Sequence, residues 1–286
     1  MNGLPPEIMR QIDRYLPVTM EGITLYPVTV EEYETFMSCA PALGFMQQSL
    51  PVAMLSMPLL SAFLRMEDAW AQAKQNNQPD AENTILLFSA AVISLLLAMR
   101  LGAGEAMTER MKRARVMYDS KNATKLKSLV FRGNMGEMIE ITPVKFGKLR
   151  PIIAAQNGIE IPPLEANPEL VEADRAVRAA NAPDMEIHLY DRVSFLCNEI
   201  GKDEEEIYTW PILKFNRRTA VAERKLHYLV YGIGEKSGMV KYKGGNPFPS
   251  PIHSRKQKSL GMIALSEFNK SADQTINQAN KQTTKE

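Results

Sequence analysis

The sequence predicts a mainly α protein with a minor antiparallel β component, an α+β fold. Apolar residues recur at helical spacing in several segments, and 85–99 is apolar nearly all round. Short β-prone runs lie between glycine-bearing turns in the middle of the chain. With 286 residues, 45% of them hydrophobic, the chain can bury a sizeable core.

Composition and breaker residues suggest three regions. We predict an N-terminal helical region with a short initial strand in 1–125, then a small β segment followed by a helical region in 126–250. Residues 251–286 are predicted to be a polar, flexible tail, because from about Ala272 they contain few apolar residues.

The N-terminal region is predicted to contain a short helix at 8–16 and a strand at 23–28. Thr29 and Glu32 have the spacing of a capping box, which predicts a helix through about Cys39. Leucines at helical spacing in 51–70 predict two helical pieces divided at Pro58, because proline interrupts a helix.

The apolar run 85–99 is shorter than the roughly 20 residues that cross a bilayer. We therefore predict a central helix packed on all sides, or one shared with a neighbouring subunit, and no membrane association. The basic stretch 109–127 is predicted to be a second helix and its exit. Strands are predicted at 129–131, 138–141 and 144–146.

The segment 148–170 is predicted to join a strand-like run to a tight turn and a helix. Ile152 and Ile153 precede Gln156, Asn157 and Gly158, and Asn-Gly supplies the backbone angles of a turn. Asn167-Pro168 is typical of a helix start.

Two further helices are predicted in the C-terminal half. They occupy 185–200 and about 203 through 227 and beyond, with a break or kink at Pro211. Glycines at 232, 234 and 238 are predicted to end the second helix, because their spacing does not match a phosphate-binding loop.

Motif spacing gives no support to a catalytic residue, a metal site or a cofactor. The three histidines are far apart, and no hydrolase elbow or zinc-protease motif occurs. We therefore predict a protein that is not an enzyme. The two cysteines, Cys39 and Cys197, are predicted to be reduced thiols in a cytoplasmic protein.

Methionine and arginine suggest two candidate interaction surfaces. The 17 methionines are a high count, and methionine is suited to adaptable apolar surfaces as well as to cores. Partner contacts are therefore predicted at Met54, Met57, Phe63 and Met66. The basic residues Arg217, Arg218 and Arg224 are a second predicted partner site, although the net charge of +1 argues against nucleic acid as the partner.

The segments QNGIEIP and NPEL within 150–170, the stretch 214–243 and the opening ITLYPVTVEEYETF resemble a family encoded in tail-morphogenesis clusters of siphophages and prophages of Firmicutes. The resemblance covers most of the chain up to about Lys243. It implies a non-enzymatic tail assembly chaperone in the host cytoplasm that binds the tape measure protein or other tail proteins.

Many copies acting together would suit such a role, so we expect a homo-oligomer. Acidic residues concentrated in 151–210 and basic residues in 210–260 would allow the two segments to pack on each other, or an acidic face of one copy to meet a basic face of the next. Two alternatives stay open: a structural tail or neck component of the virion, and a nucleic-acid-binding phage protein that uses 214–258.

Overall fold

The computed structural model describes residues 4–76, 86–120, 122–163, 166–180, 187–238, 240–242, 248 and 250. The described chain is mainly helical with two small antiparallel sheets, which confirms the predicted fold class. Its helices are α1 (Pro6–Asp13), α2 (Tyr33–Leu43), α3 (Leu59–Gln75), α4 (Leu87–Ala98), α5 (Met107–Met111), α6 (Pro143–Gln156), α7 (Pro168–Ala180), α8 (Leu189–Ile200), α9 (Glu204–Tyr208) and α10 (Ile212–Lys236).

The first sheet is a short hairpin and the second has three strands. Strands β1 (Val18–Met20) and β2 (Ile23–Leu25) pair across a turn at Glu21 and Gly22, both with positive φ. Strands β3 (Ala114–Asp119), β4 (Asn122–Arg132) and β5 (Met138–Ile141) follow one another in that order across the second sheet. Leu129 of β4 lies opposite Val116 and Ile141, and Leu129 and Ile141 are fully buried.

The chain divides into two compact units, Met1–Pro162 with Ile187–Leu226, and Pro163–Glu186 with His227–Glu286. The predicted boundary at 125/126 falls within strand β4, inside the first unit. The predicted flexible tail 251–286 lies outside the described residues.

The centre of the first unit is α4, which is buried along nearly its whole length. It packs against α2 and α3, as expected for a helix that is apolar on every face. Ser94, a buried polar residue of α4, donates its hydroxyl proton to the Ala91 carbonyl at 2.8 Å. Within the described residues, no helix has both the length and the apolar character needed to cross a membrane.

The predicted division at Pro58 is confirmed. A 3-10 turn, Val52–Met54, precedes Pro58, and α3 begins directly after it at Leu59. Proline has no amide donor to lose at the start of a helix, and its fixed φ suits the extended residue before one.

The capping box predicted at Thr29 and Glu32 does not form. A 3-10 turn, Val30–Glu32, intervenes before α2, and the Thr29 side chain makes no capping hydrogen bond. The Glu32 carboxylate instead accepts a hydrogen bond from the buried Arg110 guanidinium at 2.6 Å. Arg110 also donates to the Leu101 carbonyl, so one cation joins α5 to two distant segments.

Two predictions for 109–146 are wrong. The basic stretch forms only the short helix α5 before it becomes β3, because the β-prone residues after Arg113 pair with β4. The predicted strand at 144–146 lies in α6, where the Thr142 side chain accepts from the Lys145 amide and Pro143 takes the first helical position.

The strand predicted at Ile152 and Ile153 is likewise helical, because α6 continues through Pro151 to Gln156. Phe146, Leu149 and Ile153 recur at helical spacing and are all buried, so core packing outweighs the proline. The chain does turn at Asn157 and Gly158, where Gly158 has φ of 75°, but the turn ends a helix.

The end of α6 holds the N-terminal segment through two buried carboxamides. Asn157 accepts from the Val28 amide at 2.9 Å and donates to the Ile153 carbonyl at 2.8 Å. Gln156 donates to the Leu25 carbonyl at 3.2 Å. Both side chains are 1% exposed, so these bonds are shielded from water.

The opposite side of the same segment is held by the residues before α10. The Val30 amide donates to the Trp210 carbonyl, and the Ile212 amide donates to the Val28 carbonyl, both at 2.9 Å. Val30 lies in a second buried cluster with residues of α8, α9 and α10, which includes Val193, Leu196, Ile207 and Phe215. The predicted helices and the break at Pro211 are therefore confirmed.

In the second unit, α7 starts as predicted at Asn167-Pro168, and the Asn167 side chain accepts from the Glu169 amide at 3.0 Å. α10 runs past Gly232 and Gly234 to Lys236, and Gly238, with φ of 73°, follows it. His227 and Tyr231 of α10 contact the ring of Phe248.

We predict that Asn157→Ala lowers the free energy of unfolding by about 1–3 kcal/mol, because it leaves the buried Val28 amide without an acceptor. Urea denaturation followed by circular dichroism measures the change. Asn198→Ala, at an exposed position of α8, is the matched control and should change stability by less than about 0.5 kcal/mol. Equal effects of the two substitutions on stability would contradict the claim that the bond from the Val28 amide to Asn157 stabilises the fold.

We also predict that Glu32→Gln destabilises the fold by about 1–3 kcal/mol, because the 4%-exposed Arg110 side chain loses its anionic partner. Glu34→Gln, an exposed neighbour in α2, serves as the control. A thermal denaturation midpoint unchanged by Glu32→Gln would show that the ion pair adds nothing to stability.

Candidate functional site

An apolar segment, residues 51–58, presents large side chains to solvent on the surface of the first unit. Val52 is 86% exposed and Leu55 is 42% exposed, whereas Met54 and Met57 are partly buried against the core. The Gln47 side-chain amide donates to the carbonyls of Leu55 and Met57, both at 2.9 Å. The segment is therefore held in a defined shape while its apolar groups face water.

The predicted partner contacts in this region are only partly accessible. Met54, Met57 and Met66 are partly buried and pack against the core cluster. Phe63 is fully buried, and its ring meets that of Phe45 edge-to-face with centroids 5.2 Å apart. The prediction of Phe63 as a partner contact needs correction, because its apolar spacing in α3 reflects the core.

A cleft of about 220 Å³ opens beside the apolar segment, between the start of α3 and strand β4. The Arg65 guanidinium lies 3.7 Å from the sulfur of Met57. The side chains of Arg65 and Lys125 are exposed. The lining residues are Met57, Pro58, Ser61, Leu64, Arg65, Lys125 and Leu126.

Sequence reasoning missed Val52, Leu55, Arg65 and Lys125. A signal for the first two was present, since an apolar run between Pro51 and Pro58 is too short to bury itself as a helix. The approach of β4 to α3 is a tertiary contact between segments about 60 positions apart, and no local pattern reports it.

The three basic residues predicted as a partner site on α10 have different surroundings in the first unit. Arg217 forms an ion pair with Asp13 at 2.9 Å, and its guanidinium lies over the Tyr15 ring. Arg224 is partly buried, and its Nε is buried with no hydrogen-bond partner among the residues described. Arg218 is exposed. These three side chains therefore do not present one continuous set of exposed cations.

Two titratable side chains, Cys39 and Arg150, are buried in the first unit, and burial shifts the pKa of each. Burial raises the pKa of the Cys39 thiol to about 11, so little thiolate forms at neutral pH. Burial lowers the pKa of Arg150 to about 10, and its guanidinium donates to the carbonyls of Leu43 and Phe45. In the part of the chain that the structure describes, no three His, Cys, Asp or Glu residues are grouped to hold a metal ion.

Comparison of the chain with protein-family models, with curated proteins and with solved structures found no match.

We predict that Phe63→Ala lowers the free energy of unfolding by about 3–5 kcal/mol, because it opens a cavity in the core. Val52→Ser, in the exposed segment, should change it by less than about 0.5 kcal/mol. Guanidinium denaturation of both variants provides the measurement. A strongly destabilised Val52→Ser protein would mean that residues 51–58 belong to the core.

Proposed function

We propose that this chain is a non-enzymatic protein of phage tail morphogenesis that binds other polypeptides, in the manner of a tail assembly chaperone. Its expected partner is the tape measure protein or another tail protein, and its expected location is the host cytoplasm. The observation that carries the proposal is the apolar segment 51–58, whose large side chains are exposed on a well-packed support.

An exposed apolar surface of this kind is suited to binding the apolar faces of polypeptides that differ in sequence. Contiguous exposed apolar groups mark interaction sites more often than single ones do. Methionine adds adaptability, because its unbranched and polarisable side chain repacks around different shapes. Met54 and Met57, partly buried beside Val52 and Leu55, provide this property at the surface.

The resemblance of the motifs in 150–170 and 214–243 to tail-morphogenesis proteins supplies the biological setting of the proposal. The nucleic-acid alternative is less well supported, because Arg217 and Lys225 are paired with Asp13 and Glu199. A phosphate would have to displace these carboxylates. Retention of the protein in purified phage particles would favour the remaining alternative, a structural component of the tail or neck.

We predict that the tagged full-length protein, co-expressed with the tape measure protein of the same tail cluster, captures it on affinity resin. Mass spectrometry identifies the captured chain. The double variant Val52→Ser/Leu55→Ser should reduce capture roughly tenfold, because it removes exposed apolar surface from the interface.

Val221→Ser provides the matched control, since Val221 is 46% exposed on α10 and lies outside the apolar segment. Circular dichroism should show that all variants are folded. If the unaltered protein captures no tail protein, the proposed function is overturned. If the double variant captures as much as the control, residues 51–58 are not the binding surface.

A further inference from the structure

We propose that the cleft between α3 and β4 receives an apolar side chain from an acidic segment of the partner polypeptide. This inference rests on the proposed function and adds the chemical class of the partner. It follows from three properties of the cleft: an apolar floor, a small volume and a rim that carries only positive charge.

The floor of the cleft is apolar and firmly held. Leu64 and Leu126 are 7% and 5% exposed, so they present part of their surface to the cleft while packing in the core. Pro58 and Met57 complete this floor. An apolar group that enters the cleft would gain contacts with all four side chains at little cost in ordering them.

The volume of the cleft fits a side chain better than a cofactor. Pockets for cofactors and drug-sized ligands commonly measure roughly 300–1,000 Å³, whereas this cleft measures about 220 Å³. Its lining residues Met57 and Pro58 belong to the apolar segment 51–58, whose exposed residues Val52 and Leu55 would lengthen the apolar contact beyond the cleft itself. A polypeptide that places one large side chain in the cleft and lays others on segment 51–58 matches this arrangement.

The charge of the rim selects an acidic partner. Arg65 and Lys125 line the cleft, and no carboxylate is among its lining residues. Glu67, two residues after Arg65 in α3, accepts hydrogen bonds from the backbone amide and hydroxyl of Ser89, at 3.0 and 2.6 Å, so α4 already engages this carboxylate. Carboxylates that flank the inserted side chain would therefore meet two cations at the mouth of the cleft.

The test uses the full-length protein and fluorescein-labelled peptides of about 18 residues, or five helical turns. One peptide has leucines at i, i+3, i+4 and i+7 with glutamates between them. A second has lysine in place of every glutamate, and a third has serine in place of every leucine. By fluorescence anisotropy at about 0.15 M ionic strength, where the Debye length is roughly 8 Å, the leucine–glutamate peptide should bind at least tenfold more tightly than either of the others.

Charge reversal then locates the binding site. Arg65→Glu and Lys125→Glu should each weaken binding of the leucine–glutamate peptide roughly fivefold. The matched controls are Arg10→Glu on α1 and Arg132→Glu at the end of β4, because both residues are exposed and neither lines the cleft. The controls should change binding by less than about twofold, the scale of a screened surface charge.

Equal binding of the glutamate and lysine peptides, or equal effects of the cleft and control variants, would overturn the inference. The same four variants in the tape measure capture assay separate it from the proposed function. If the unaltered protein captures the tape measure protein and Arg65→Glu and Lys125→Glu each capture it equally well, this inference fails and the proposed function stands. If peptide binding follows the prediction but no tail protein is captured, the proposed function fails.

Discussion

The hydrogen bond from the Val28 amide to the Asn157 carboxamide joins the N-terminal hairpin to the end of α6, and the placement of residues 28–30 in the first unit depends on this junction. Residues 28–30 lie between α6 on one side and residues 210–212 on the other, with backbone hydrogen bonds to the latter. A three-residue strand pair such as β1–β2 is not stable by itself in water. Its position is therefore set by these long-range bonds and by the buried side chains of Val28 and Val30.

Buried polar contacts of this kind occur at two further places in the first unit. Arg110 connects α5 to Glu32 and to the Leu101 carbonyl, and Arg150 donates to two carbonyls after α2. Each burial of a charged or amide group costs solvation free energy, which only well-placed partners offset. These contacts favour one arrangement of the segments, whereas the exposed residues 51–58 are held by the Gln47 side chain.

Local patterns predicted the helices that carry a strong periodic or capping signal. α4 was predictable because it is apolar on every face, and α7 because Asn167-Pro168 starts it. β3 was not, because its alanine, arginine and methionine suit a helix until they are paired with β4. α6 was not, because Pro151 and the Asn-Gly pair suggested a strand and turn, whereas burial of Phe146 and Ile153 decided for a helix. Of the candidate site, Met54 and Met57 were predictable from composition, but Lys125 reaches the cleft only through tertiary packing.

The junction at residues 28–30 holds the N-terminal segment in place, and residues 51–58 expose apolar side chains. Native-state hydrogen exchange followed by NMR tests the first of these claims most directly. The account predicts that the amides of Val28, Val30 and Ile212 exchange only by global unfolding, with free energies equal to those of the most protected amides of α4. Exchange of these three amides at a free energy well below that of α4 would show that the junction opens locally. That result would contradict the claim that the junction holds the N-terminal segment in place.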